Sequence, residues 1–233
     1  MKAAIIIPVY NHAGQIEEVI RQALELDLPI IVVDDGSTDA TPEILRGIEK
    51  ISVVRHPVNL GKGAAILSGF AAAVEQRCNW AITLDGDGQH RPRDAHALLL
   101  AVADGRRAMV VGRREGMIGK NVPWTSRFGR GFSNFWVWVS GGPLIQDSQS
   151  GFRLYPLPES LHLGIKARRY QFEVEILVRA RRSGMDTLEA PIQVVYQARG
   201  KRVSHFRPWL DFWRNSATFC RLILLRILGR FRR

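Results

Sequence analysis

Short apolar runs that end in turn chemistry alternate with segments of helical period from the first residues onward, and this alternation limits the chain to few architectures. Runs at 3–9, 29–33, 51–55, 80–84 and 107–111 read as strands, and 15–26 and 63–76 as helices, the first carrying Ile16, Val19, Ile20, Ala23 and Leu24 on one face. Thr41-Pro42 predicts another helix, with the threonine as its cap and proline in its first turn. Strand and helix in regular succession imply β-α-β units, hence an α/β fold with a mostly parallel central sheet flanked by helices. The 233 residues suffice for one well-buried domain.

In open parallel sheets ligands collect beyond the carboxyl ends of the strands, where loops and helix N-termini converge. Four successive loops there are polar: Pro8-Val9-Tyr10-Asn11-His12, Asp34-Asp35, Asn59-Leu60-Gly61-Lys62-Gly63 and Asp85-Gly86-Asp87. The last lies in ITLDGDGQHRP, two carboxylates one residue apart. Such crowding is unfavourable unless a positive charge sits beside them, and a hard divalent cation is the usual answer. A calcium loop is excluded because Gln89, His90 and Arg91 follow and no glutamate closes it. An aspartate nucleophile of phosphatase type would need a hydroxyl residue where Gln89 stands. Two readings remain for the stretch alone: a D-x-D that holds Mg²⁺ or Mn²⁺ against a sugar-nucleotide diphosphate, and a solvated turn.

Charge is unevenly spread. Residues 199–233 carry ten Arg or Lys against Asp211 alone, which supplies +9 of the net +11. That asymmetry argues against a uniformly basic nucleic-acid binder and for a basic tail with its own task. Cys78 and Cys220 lack C-x-x-C spacing and read as two buried, reduced thiols. No window approaches twenty uncharged apolar residues, the N-terminal run reads as a strand rather than a leader, and the expectation is a cytoplasmic protein without a span of its own.

PVYN, VVDDGSTDAT, NLGKG, LDGDGQHRP and DSQSGFR, in this order and spacing, resemble the family 2 glycosyltransferases of GT-A (Rossmann-like) fold, above all the branch of dolichol-phosphate mannose synthase and bacterial polyprenyl-phosphate glycosyltransferases. The resemblance spans residues 3 to about 206. It implies a metal-dependent, inverting transfer of a sugar from a UDP- or GDP-sugar to a polyprenyl phosphate; the alternative is a hydroxyl of a saccharide, lipid or protein. It also implies that Pro8, Tyr10, His12, Val33, Asp35, Lys62, Asp85, Gly86 and Asp87 meet the donor, with Arg199 and Lys201 in a loop able to close over its diphosphate. His12 stands where the family usually has glutamate. Asp87, Gln89 and Asp85 are the implied ligands for Mg²⁺ or Mn²⁺. Arg114 is the implied contact to an acceptor phosphate, with Arg127 and Arg130 as further cations, and Asp147 is the base required if the acceptor is a hydroxyl.

Beyond a catalytic unit at 1–206, residues 207–233 read as a basic amphipathic helix. Arg207, Arg214 and Arg221 recur seven apart, while Trp209, Phe212, Trp213 and many Leu or Ile surround them. Arginine interrupts every apolar stretch, so the helix is expected to lie on an anionic membrane, at the inner face of the cytoplasmic membrane, with a separate membrane protein as a possible partner. Packing against the domain is the competing expectation.

Overall fold

The computed structural model describes residues 1–115, 124–194 and 208–229, the side chains of 124–128 and 208–211 excepted. In chain order the elements are β1 (Ala3–Val9), α1 (Ile16–Leu24), β2 (Ile30–Asp34), α2 (Thr41–Arg46), β3 (Ile51–Arg55), α3 (Lys62–Glu75), β4 (Trp80–Thr83), α4 (Ala95–Leu100), β5 (Met109–Glu115), α5 (Trp124–Val139), β6 (Arg153–Pro156), α6 (Phe172–Arg182), β7 (Thr187–Gln193) and α7 (Pro208–Ile227). The predicted strands and helices of the first half recur within a few residues.

The strands form one sheet in the order β3-β2-β1-β4-β6-β5-β7. All neighbours are parallel except β6, which runs antiparallel to both β4 and β5. The period of two along a strand divides the core. From β1, Ala4 and Ile6 face a cluster with Phe70 of α3, Phe172 and Ile176 of α6, and Phe219 and Leu222 of α7. Ala3, Ile5, Ile7 and Val9 face the other cluster, with Ile16 and Ile20 of α1 and Leu98 of α4. Central strands buried on both faces explain why the sequence showed near-continuous apolar runs there. Gly69 lets α3 lie against the sheet: a Cβ there would stand 2.3 Å from Ile6 Cγ2.

Two local expectations are corrected. Thr41 does not cap its own helix; its buried hydroxyl accepts the His12 N–H at 3.1 Å, and the Asp39 carboxylate accepts the Thr41 N–H at 2.9 Å instead. Of the two cysteines, Cys78 is buried but Cys220 is exposed on α7, because Phe219 and Leu222 take the inward positions of that turn. Among the described residues no helix is long and apolar enough to cross a membrane.

Candidate active site

The loops after β1 and β2 are stitched into one shelf. Asn11, in the left-handed region at φ 52°, donates its N–H to Ser37 Oγ at 3.0 Å and accepts the Thr38 N–H at 2.8 Å. Asp39 Oδ2 accepts the Ala13 N–H at 3.1 Å. Pro8, Tyr10 and His12 are half-buried on this shelf. Asp35 lies beside this shelf. Its carboxylate, 3% exposed, accepts the Leu60 and Gly61 N–H groups at 2.9 and 2.7 Å and meets His56 Nδ1 at 2.7 Å. It fastens the NLGKG loop to the end of β2. Val33 is wholly buried in the core shared with α3, so its side chain does not reach the ligand edge.

The loop after β4 carries Asp85, Asp87 and Gln89, all half-buried, with Gly86 buried between the carboxylates. Gly88 turns the chain at φ 70°, a conformation that suits glycine. Asp85 is held by Lys62, whose Nζ lies 2.7 Å from Asp85 Oδ1 and 2.6 Å from Glu173 Oε1. Burial works against the lysine charge, yet Asp85 and Glu173 together hold its pKa above the ordinary lysine value. Burial raises the Asp85 carboxyl too, but Lys62 followed by His90 outweighs it, and the net shift is downward. Asp87 shifts the other way: burial, with the Asp85 charge beside it, pushes its carboxyl up. Burial lowers His90, whose ring stacks on Phe152 at 5.4 Å.

The donor set fits a hard cation. Among the described residues no three His, Cys, Asp or Glu converge as a metal cluster; the loop instead offers two carboxylates and an amide. Asp87 accepts from the Gln89 backbone N–H at 3.0 Å and from its side-chain Nε2 at 2.6 Å. A half-turn of that amide would present its carbonyl oxygen beside the Asp87 oxygens, the ligand chemistry that Mg²⁺ and Mn²⁺ prefer.

The reversal of β6 completes the site. Because β6 runs against its neighbours, the residues that precede it, 147–152, arrive at the edge where the parallel strands end. Gly151 lies so close to the acidic loop that a Cβ there would stand 2.6 Å from Asp85 Oδ2 and 2.8 Å from Lys62 Nζ. Thr83 Oγ1 donates to Gly151 O at 2.6 Å. Arg153 is fully buried and braces the turn with N–H groups to Ser148 O, Ser150 O and Glu173 O at 2.7, 2.7 and 2.8 Å. From α5, Asn134 donates to Gln146 O and accepts from the Ser148 N–H.

Asp147 and Arg114 form one unit. Arg114 donates from Nε to Oδ2 at 2.7 Å and from Nη2 to Oδ1 at 2.8 Å, while Asp147 is 0% exposed. Both carboxylate oxygens are thus engaged by one guanidinium. Arg113, one residue back and hence on the opposite face of β5, pairs with Glu115 at 3.2 Å. Arg130 is half-buried on α5. The side chain of Arg127, and Arg199 and Lys201 altogether, lie outside the described residues.

Glu173, His56 and Asn134 were not singled out by sequence reasoning, and Asp39 and Arg153 stood in quoted motifs with no role assigned. The partners of Glu173, His56 and Asn134 are distant in the chain, and a single sequence carries no signal for them. Asp39 was within reach: an aspartate two residues before a helix start is a legible turn former.

A family model described as "Glycosyl transferase family 2" matches residues 4–156. The UDP-N-acetylglucosamine–dolichyl-phosphate N-acetylglucosaminyltransferase of Methanococcus voltae is 31% identical over 224 residues, covering 85% of this chain and 89% of that one. The polyprenol monophosphomannose synthase of Mycolicibacterium smegmatis is 28% identical over 207 residues, covering 82% and 76%. Among solved structures, mannosyl-3-phosphoglycerate synthase from Rubrobacter xylanophilus superposes with a TM-score of 0.68 at 19% identity, over all of this chain and 76% of that one, a likeness of fold.

Proposed function

This chain belongs to glycosyl transferase family 2, and on that premise we propose that it moves a sugar from a nucleotide-sugar donor to a polyprenyl phosphate, inverting the anomeric carbon. The observation that carries the choice of acceptor is the two-pronged Arg114–Asp147 pair. A hydroxyl acceptor needs a carboxylate to take its proton, but Asp147 is sealed from solvent with both oxygens held by Arg114. A phosphate monoester ionises near pH ~6 and needs no such base. It needs an oriented cation, and a guanidinium locked by a buried carboxylate is one. The names of the dolichyl- and polyprenol-linked relatives point the same way.

In this reading the shelf of Pro8, Tyr10 and His12 receives the nucleotide, and Asp35 keeps the NLGKG loop against it. Asp87 and Gln89, backed by Asp85, would hold Mg²⁺ or Mn²⁺, which when bound supplies charge neutralisation at the departing diphosphate. Lys62 keeps Asp85 ionised and aimed, and Glu173 keeps Lys62 in place. Arg114 holds the acceptor phosphate for attack opposite the nucleotide. Arg199 and Lys201 would add cations over the diphosphate, and Arg127 and Arg130 over the acceptor. Residues 207–233 would bring the enzyme to an anionic membrane surface, as a peripheral protein on the inner face.

The test is to incubate the purified chain with a panel of UDP- and GDP-sugars and polyprenyl phosphate, with Mn²⁺ or chelator, and to look for glycosylated lipid by mass spectrometry. Product is expected with the metal and is expected to vanish with chelator and in Asp87→Ala. Transfer to a hydroxyl acceptor with none to the lipid phosphate would overturn the proposal.

A further inference from the structure

At the C-terminal ends of α5, α6 and α7 lies a groove of about 690 Å³ lined by Arg181, Arg182 and Arg226 together with Trp138, Leu144 and Leu225. It is remote from the acidic loop. Lys62 and Glu173 meet at the first turn of α6, whereas Arg181 and Arg182 end that helix of 11 residues, about 13 Å further along at the rise of an α-helix. Two of the three cations are fixed in place: Arg182 donates to Ser140 O at 2.9 Å and Arg226 to Val139 O at 2.6 Å. Burial first, and then the charges of Arg226 and Arg179, push the Arg182 pKa down.

Large apolar side chains share the groove with these cations: Trp138 and Leu144, 53% and 82% exposed, line it with Leu225. Leu224 and Ile227, on the same helix as Arg226, are 58% and 73% exposed. After Gly229 the sequence adds Arg230, Arg232 and Arg233 around Phe231. A soluble anion would need the arginines but not the apolar rim, and an apolar partner would need the rim but not the arginines. One amphiphile satisfies both: an anionic headgroup joined to hydrocarbon.

We propose that this groove is a seat for the phosphate of an anionic phospholipid, separate from the acceptor site, with Trp138 and Leu144 dipping into the acyl region beside it. The proposal rests on the membrane-surface reading of residues 207–233 and says where on the protein the bilayer is gripped.

The test uses the full chain and co-sedimentation with vesicles of phosphatidylcholine alone or mixed with phosphatidylglycerol. The wild type is expected to pellet with the mixed vesicles only. Each arginine at an anionic surface strengthens binding roughly fivefold, so Arg181→Glu combined with Arg226→Glu is expected to weaken it at least about twentyfold. Arg181→Gln, at an exposed position, serves if the double variant fails to fold, with about a fivefold loss expected. Trp138→Ala with Leu144→Ser, which changes no charge, is also expected to weaken binding several-fold. All variants are expected to retain transfer to a short-chain, water-soluble polyprenyl phosphate.

If the arginine variants bind as the wild type does, the groove is not the seat, though the membrane reading stands. If charge reversal weakens binding but the apolar variant does not, the face is a diffuse basic patch and the seat is refuted. If the wild type pellets with neither vesicle, both the groove and the membrane reading fall. Equally tight binding to polyglutamate without lipid would make it an acidic-peptide site and overturn the proposal.

Discussion

At the scale of single residues, the pair Arg114 and Asp147 divides the two acceptor chemistries. If Asp147 only orients Arg114, Asp147→Asn keeps one acceptor for the guanidinium and is expected to raise KM for the lipid phosphate several-fold while kcat falls little. Arg114→Ala is then the more damaging change. Were Asp147 the base, Asp147→Asn would instead abolish kcat and leave KM near its wild-type value, and steady-state kinetics on both variants separates the cases. A second residue-scale prediction concerns Asp39, which ties the loop after β1 to the start of α2. Burial raises its carboxyl, but the donors of Thr41 and Ala13 outweigh it and hold it below the ordinary value. A carboxyl lowered on folding stabilises the protein above its unfolded pKa and loses that contribution as pH falls through the folded one. Asp39→Asn is therefore expected to cost about 1 kcal/mol at neutral pH and almost nothing in acid, measured as urea midpoints across that range.

At the scale of elements, the turn into β6 is the piece on which the site depends most. Gly151→Ala forces a methyl group against Asp85 and Lys62, both tips of flexible side chains that can shift without unfolding the protein. Transfer activity is expected to fall at least tenfold while the melting temperature changes little; equal losses in both would show that the glycine serves the fold alone. Gly47→Ala, at the end of α2, is the control, since a Cβ there finds its nearest neighbour at 3.5 Å, an ordinary contact. The elements also show how far pattern reading reached. Five strands and the three helices between the first four of them were legible because each is a short apolar run, a face of helical period or a proline-opened first turn; α4, between the fourth and fifth strands, was not. The direction of β6 was not, since an antiparallel and a parallel strand of this length carry the same apolar pattern. Nor was the grip of Asn134 on the DSQSG turn, because contact between α5 and that turn exists only once the sheet has formed.

At the scale of the whole molecule, the competing expectation of a tail packed against the domain describes one face of α7. One face is built into the protein: Phe219 and Leu222 are 3% and 0% exposed, and Arg221 donates at 2.7 Å to Glu175, a buried carboxylate that Arg179 also engages. Phe212 and Phe132 pack with ring centroids 5.5 Å apart. The other face is bare, with Trp213 69% and Leu228 58% exposed. Phe219→Ala is expected to cost about 3 kcal/mol or more, read by chemical denaturation, which a helix lying only on lipid would not show. The sequence alone determined the α/β class, the five motifs and their order, the acidic loop and the basic, aromatic tail, because these follow from residue type and spacing along the chain. Tertiary structure alone decided that Asp35 and Lys62 are engaged within the protein, that Asp147 is bound to Arg114, and that the tail shares its helix between core and surface. Those outcomes turn on which groups meet across distant segments, and a buried charge takes its role from the partner that folding brings to it.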